Sequence, residues 1–116
     1  MTDKLILEKI DNTAKIIINN PSANTWDLES LSGLETIIEA LNQDDEIFSL
    51  VITGQGDKFF SAGADLKVFH EGGKNAAKEM SNAFSKAFKA LSKFSGVSIA
   101  AIHGLALGGG LECALA

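Results

Sequence analysis

The first part of the chain alternates between short apolar runs and polar breaks, a pattern that predicts two strands followed by a helix. Apolar residues concentrate in Leu5–Ile10 and Ala14–Asn19, with a polar triplet between them, which predicts a β-hairpin. Apolar side chains then recur every three or four residues, at Leu28, Leu31, Leu34, Ile37, Ile38 and Leu41. This period predicts an amphipathic helix that begins near Trp26 and is capped by Asn24 or Thr25.

The rest of the chain contains two continuous apolar runs, FSLVIT (Phe48–Thr53) and VSIAAI (Val97–Ile102). Each predicts a strand that is buried on both faces, as in a parallel sheet. Between them lie the short apolar piece KFFSAGAD (Lys58–Asp65) and a long helix from about Asn75 to Phe94. The predicted buried side of that helix carries Met80, Phe84, Phe88, Leu91 and Phe94. The order of elements favours an α/β fold with parallel pairing.

Three consecutive glycines, Gly108 to Gly110, separate the last apolar run from an apolar segment that carries one acid, Glu112. The first N–H groups of a helix have no acceptor within the helix, and glycine lets a ligand oxygen approach them closely. Gly109 and Glu112 stand at positions i and i+3, which lie on one helix face. The segment therefore predicts a site in which the Gly109 N–H stabilises an oxyanion and Glu112 moves a proton.

A second candidate donor is the N–H of Ala64, in the stretch FSAGAD, where a strand again runs into small residues. Asp65 is predicted to cap the helix that follows. Both turns come at the carboxyl ends of strands, which is where open α/β sheets bind their ligands.

The stretches FFSAGADL and IAAIHGLALGGGLECALA resemble two motifs of the crotonase family, the enoyl-CoA hydratase/isomerase superfamily, in that family's order and spacing. The resemblance extends over nearly the whole chain and implies a crotonase-like ββα superhelix. Residues 1–116 would then be the N-terminal portion of one longer domain, because the chain stops inside an apolar segment that has only begun. The resemblance also implies that the N–H groups of Ala64 and Gly109 bind a thioester carbonyl, with Glu112 as base or acid.

The resemblance implies an acyl-CoA substrate, no separate cofactor, and a homo-oligomer, either a trimer or a dimer of trimers. Asp65, Leu66 and Lys67 would border the acyl-CoA beside Ala64, and Lys58 and Lys67 are expected to meet its phosphates.

The favoured activity is hydration of a trans-2-enoyl-CoA to a 3-hydroxyacyl-CoA in fatty-acid oxidation. Hydratases of the family use a second glutamate beyond the second motif, and this sequence ends before that position. Double-bond isomerisation, hydrolysis and decarboxylation of acyl-CoA therefore stay open, as does a non-catalytic acyl-CoA-binding module. Trp26 also departs from the family pattern, which usually has a smaller aliphatic residue there.

The composition of the chain limits the classes of ligand that it is expected to bind. A net charge of −5 and a pI of about 4.9 argue against nucleic acid and anionic membranes as ligands. One cysteine, Cys113, permits no internal disulfide and predicts no zinc cluster; we expect it to be a small buried apolar group. His70 and His103 have no partner at metal-ligand spacing, so no metal is expected. With no signal peptide predicted, these features fit a cytoplasmic protein.

Overall fold

The computed structural model describes residues 2–116, and its elements form three successive ββα units. The first unit consists of β1 (Leu5–Ile10), β2 (Thr13–Ile18) and α1 (Leu28–Asn42). The second consists of β3 (Ser49–Gly54), β4 (Phe59–Ser61) and α2 (Leu66–Ser92). The third consists of β5 (Val97–Ala100), β6 (Leu105–Ala106) and α3 (Gly109–Leu115). The predicted α/β class with ββα units is confirmed.

The strands form two sheets, and the division between them determines where the candidate site lies. The larger sheet has the order β1-β2-β3-β5, with β1 antiparallel to β2 and the other two pairs parallel. The predicted hairpin and the predicted parallel pairing are therefore both confirmed. The second strands of the later two units, β4 and β6, pair in parallel in a sheet of their own. The two segments that follow these strands consequently leave the small sheet side by side.

The hydrophobic core joins the inner side chains of β1, β2 and β3 to those of α1 and α2. The predicted face of α1 is buried at every position except Leu28, which is partly buried against the core. On α2, Met80 and Leu91 are fully buried, whereas Phe84 and Phe88 are half-buried. No helix within residues 2–116 is long and apolar enough to cross a membrane.

The predicted start of α1 is wrong by about two residues, because its cap is Asp27 and not Asn24 or Thr25. The Asp27 carboxylate accepts a hydrogen bond of 2.9 Å from Ser30 N–H, and Ser30 Oγ accepts one of 3.0 Å from Asp27 N–H. These reciprocal bonds form a capping box. Trp26 cannot be helical because its backbone pairs with the distant residue Ala64 in a β-bridge.

The predicted burial of two strands is also wrong. In β3 only alternate residues such as Leu50 and Ile52 are buried, and Val51 is half-buried. In β5, Val97 is 64% exposed and Ile99 is 52% exposed. The reason is topological, because β5 stands at the edge of the larger sheet with β3 as its one strand partner among the described residues.

Helix α2 begins at Leu66, well before the predicted Asn75, but Gly73 interrupts it with φ 63° and ψ −147°. The predicted helix corresponds to the second helical segment, residues 74–92, and overestimates its end by two residues. The predicted cap is confirmed, since the Asp65 carboxylate accepts a 3.0 Å hydrogen bond from Lys67 N–H.

Candidate active site

The pairing of β4 with β6 brings the two predicted motifs into contact. Leu105 N–H donates to Lys58 C=O at 2.9 Å, and Leu107 N–H donates to Ser61 C=O at 3.0 Å. Strands β4 and β6 run in the same direction, so the turns that follow them meet at one end of the small sheet. A Cβ atom added to Gly63 in the first turn would lie 2.9 Å from the backbone nitrogen of Gly109 in the second.

The backbone around Ala64 is held in a way that leaves its own N–H group unused. Trp26 N–H donates to Gly63 C=O at 2.7 Å, and Asp65 N–H donates to Trp26 C=O at 2.8 Å. In a parallel bridge of this kind, the neighbours of the bridged residue make the bonds while its own N–H points the other way. Among residues 2–116, nothing accepts a hydrogen bond from Ala64 N–H.

The glycines of the second motif each meet a different requirement. Gly108 has φ +49°, a conformation that favours glycine. A Cβ on Gly109 would lie 2.8 Å from Cε1 of Phe84, and a Cβ on Gly110 would lie 2.0 Å from Ser61 C=O. Gly110 N–H bonds to Leu107 C=O at 2.8 Å, whereas Gly109 N–H has no acceptor in the described part of the chain. The three glycines thus allow tight packing, and they leave the Gly109 N–H without an acceptor among the described residues.

Ala64, Gly109 and Glu112 line one cavity of about 270 Å³, together with Ala77, Ser81 and Phe84 of α2. The structure therefore brings the two predicted donors and the predicted acid to one place. Glu112 is solvent-exposed in the first turn of α3 and takes no part in the ion pairs found among the described residues. Larger grooves, of about 400 and 500 Å³, run along α1 and contain neither motif.

The remaining predicted substrate contacts lie outside this cavity's lining. Asp65 caps α2, and the side chains of Leu66 and Lys67 at the start of that helix are exposed. The Lys58 ammonium group lies 5.6 Å from the centre of the Phe59 ring. Their contacts with an acyl-CoA stay predictions.

Two buried polar residues, Asn24 and Ser61, support the first turn, and the sequence did not predict this role. Ser61 Oγ donates to Asn24 C=O at 2.7 Å and accepts from Gly63 N–H at 3.2 Å. The Asn24 amide donates to Gln55 C=O and to Phe59 C=O, both at 3.0 Å. Both side chains are at most 2% exposed. Neither Asn24 in its loop nor Ser61 at the end of β4 carries a sequence signal for such partners.

Cys113 is buried, as predicted, and the exposed His103 side chain makes local hydrogen bonds. Imidazole Nε2 of His103 lies 2.7 Å from Gly56 C=O, and its Nδ1 lies 3.3 Å from Thr53 Oγ1. Cys113 is 1% exposed, and its burial raises the pKa of its thiol to about 12. A thiol in this state is not a nucleophile at neutral pH.

Comparisons of the sequence and of the fold relate the chain to known proteins. Residues 8–116 match the family model described as enoyl-CoA hydratase/isomerase. The crotonyl-CoA hydratase of Syntrophomonas wolfei is 36% identical over 97% of this chain and 44% of its own length. The solved structure of Pseudomonas aeruginosa DspI is 62% identical, with a TM-score of 0.96 over 98% of this chain and 47% of that one. An enoyl-CoA hydratase from Bacillus anthracis superposes with a TM-score of 0.94 at 29% identity, over 97% of this chain and 45% of its own. The chain thus spans less than half the length of these relatives.

Proposed function

The chain belongs to the enoyl-CoA hydratase/isomerase family, and from that premise we propose that it supplies the oxyanion-binding part of an enoyl-CoA hydratase. The observation that carries the proposal is the cavity shared by Ala64, Gly109 and Glu112. Both backbone N–H groups lack an acceptor among residues 2–116, and a carboxylate stands beside them.

In the proposed reaction, water adds across the double bond of a trans-2-enoyl-CoA. The water oxygen bonds to the β-carbon, and the electron pair of the double bond moves towards the thioester carbonyl, whose oxygen becomes negative. The N–H groups of Ala64 and Gly109 donate to that oxygen in the transition state. One such donor contributes about 3 kcal/mol of transition-state stabilisation in other enzymes. The attacking water gives one proton to a carboxylate, and the enolate electron pair then takes a proton at the α-carbon, which completes a 3-hydroxyacyl-CoA.

Glu112 is assigned the proton transfer, because a carboxylate beside the reacting atoms can take a proton from water or return one to carbon. By resemblance to the family, hydration also uses a second glutamate, which would lie outside residues 1–116. The proposal therefore treats the chain as the N-terminal part of a single crotonase-like domain. The short coverage of its relatives' lengths, 44% for the S. wolfei enzyme, supports that view.

The finer details of the proposal depend on the family resemblance. They comprise CoA phosphate contacts by Lys58 and Lys67, acyl-CoA contacts by Asp65 and Leu66, no cofactor apart from the CoA of the substrate, and assembly into a trimer or a dimer of trimers. A cytoplasmic location is favoured by the single, buried cysteine, which suits a reducing compartment.

The decisive experiment replaces Glu112 by glutamine in protein expressed from its complete open reading frame. Glutamine keeps the shape of the side chain but transfers no proton. We expect kcat with a 2-enoyl-CoA to fall by about 10²–10⁴-fold, while KM changes little. Glu79→Gln, which alters an exposed acid on α2 outside the cavity, should leave both constants unchanged.

Three outcomes would redirect the proposal. Unchanged turnover by Glu112→Gln would remove Glu112 from the mechanism. Turnover of 3-enoyl-CoA but not of 2-enoyl-CoA by the parent would favour an isomerase. Binding of acyl-CoA without turnover of either substrate would favour a binding module.

A further inference from the structure

Trp26 is buried in an unusual way for a tryptophan. Its exposed fraction is 0%, yet no residue of the described chain accepts a hydrogen bond from its indole N–H. A buried donor without an acceptor destabilises the folded state, so each such group needs a physical explanation. The contacts of Trp26 supply such an explanation. Its backbone bonds to the turn that carries the first donor, and its ring connects through other aromatic rings to the turn that carries the second donor.

The backbone of Trp26 holds the turn that presents the first donor. Its N–H and C=O groups bond to the residues immediately before and after Ala64, at 2.7 and 2.8 Å. These two bonds fix the peptide planes on both sides of Ala64, and hence the direction of the Ala64 N–H. Movement of Trp26 therefore moves the first donor.

The ring of Trp26 is connected to the second donor by contacts through two phenylalanine rings of α2. Trp26 meets Phe88 edge to face, with ring centres 5.7 Å apart, and Phe88 meets Phe84 in the same manner at 5.4 Å. Phe84 in turn packs directly on Gly109, where an added Cβ would lie 2.8 Å from its ring. We refer to Trp26, Phe88 and Phe84 as the aromatic column.

We propose that Trp26 is a positioning residue that holds the Ala64 and Gly109 N–H groups in register through the aromatic column. The column connects the two turns by a path separate from the β4–β6 pairing, and it also ties them to α2. This inference rests on the proposed function in one respect, namely that the two N–H groups bind a thioester oxygen. Trp26 itself touches neither substrate nor reacting atoms in this assignment.

The test uses protein from the complete open reading frame and butyryl-CoA labelled with ¹³C at the carbonyl. This saturated thioester cannot be hydrated, so its binding reports the donors without the reaction. Hydrogen bonds to the carbonyl oxygen lower its stretching frequency, which isotope-edited infrared spectroscopy measures. We expect Trp26→Leu to lose at least about half of the shift and to lower kcat by about 10- to 100-fold, since small displacements of positioned groups have effects of this size.

Two further variants separate positioning from general stability. Trp26→Phe keeps an aromatic ring against Phe88 and should rescue most of the shift. Leu34→Ala truncates a fully buried residue of α1 outside the column and should leave the shift intact. If Trp26→Leu does not fold, Phe88→Leu interrupts the column at its centre and should give the same loss.

The outcomes distinguish this inference from the proposed function. A full carbonyl shift in Trp26→Leu or in Phe88→Leu overturns the positioning role. Loss of the shift in Trp26→Phe also overturns it, because the indole N–H and not the column would then be the active element. A parent protein that shifts the carbonyl but hydrates no enoyl-CoA contradicts the proposed function and leaves the positioning role standing.

Discussion

Replacing Gly63 by alanine should inactivate the candidate site by displacing both of its donors. Gly63 has φ +101°, and holding a non-glycine residue in such a conformation costs about 1–3 kcal/mol of stability. The new Cβ would also lie 2.9 Å from Gly109 N and 2.9 Å from Leu107 C=O. Both neighbours are backbone atoms of the second turn, so the two turns must separate. Loss of one donor lowers kcat by about 10²–10³-fold, and we expect at least this loss.

A matched control separates the steric effect from the strain of the backbone. Gly56 has a similar φ of +86°, but an added Cβ there would meet nothing within 4 Å. Gly56→Ala should therefore lose about 1–3 kcal/mol in urea unfolding while retaining the parent's kcat. The assay follows loss of the conjugated double bond of a 2-enoyl-CoA by its ultraviolet absorbance. A Gly63→Ala protein that is folded and retains kcat within about threefold of the parent, well inside the loss expected for one donor, would refute the placement of these donors.

Two further predictions concern the fold. Burial raises the pKa of Asp27, but hydrogen bonds from Lys4 and Ser30 outweigh it and hold that pKa below its ordinary value of 3.8. The contribution of the Asp27 charge to the free energy of unfolding should therefore be fully present above about pH 4, and it should decline as the pH falls through the lowered pKa. Asp27→Asn should flatten this acid dependence in urea titrations, and an unchanged slope would contradict the ion pair with Lys4. Because Cys113 is 1% exposed, iodoacetamide at about pH 8 should label it only after unfolding, and rapid labelling of the native protein, followed by mass spectrometry, would disprove its burial.

The spacing of apolar residues was sufficient to predict the hairpin and the buried face of α1, because that spacing reflects the geometry of the element itself. It failed to predict the structure of segments whose conformation or burial depends on a partner that is distant in the sequence. Trp26 fits the start of a helix by sequence, but its bonds to the residues flanking Ala64 hold it in a bridge. The run at Val97–Ala100 is as apolar as a central strand, but its position at the sheet edge leaves it exposed.

The candidate site likewise contains some residues that the sequence could predict and others that it could not. Gly109 and Glu112 were predictable because their relation is the i, i+3 geometry of one helix. Ala77, Ser81 and Phe84 were not, because α2 brings them to the cavity only through tertiary packing. Strands β4 and β6, with three and two residues, are too short to show a period, although their pairing is what joins the two motifs.

The contacts of Ser61 explain how such a short sheet holds two turns at a fixed separation. Its hydroxyl accepts the Gly63 N–H, which fixes the turn before Ala64. Its carbonyl accepts the Leu107 N–H, and Gly110 packs so closely on the same carbonyl that a Cβ there would lie 2.0 Å away. One fully buried residue thus contacts the turns on both sides of the cavity. A shift of β4 relative to β6 must break one of these contacts, so the β4–β6 backbone contacts act together with the aromatic column to set the separation of the two donors, and the exposed side chains around them do not.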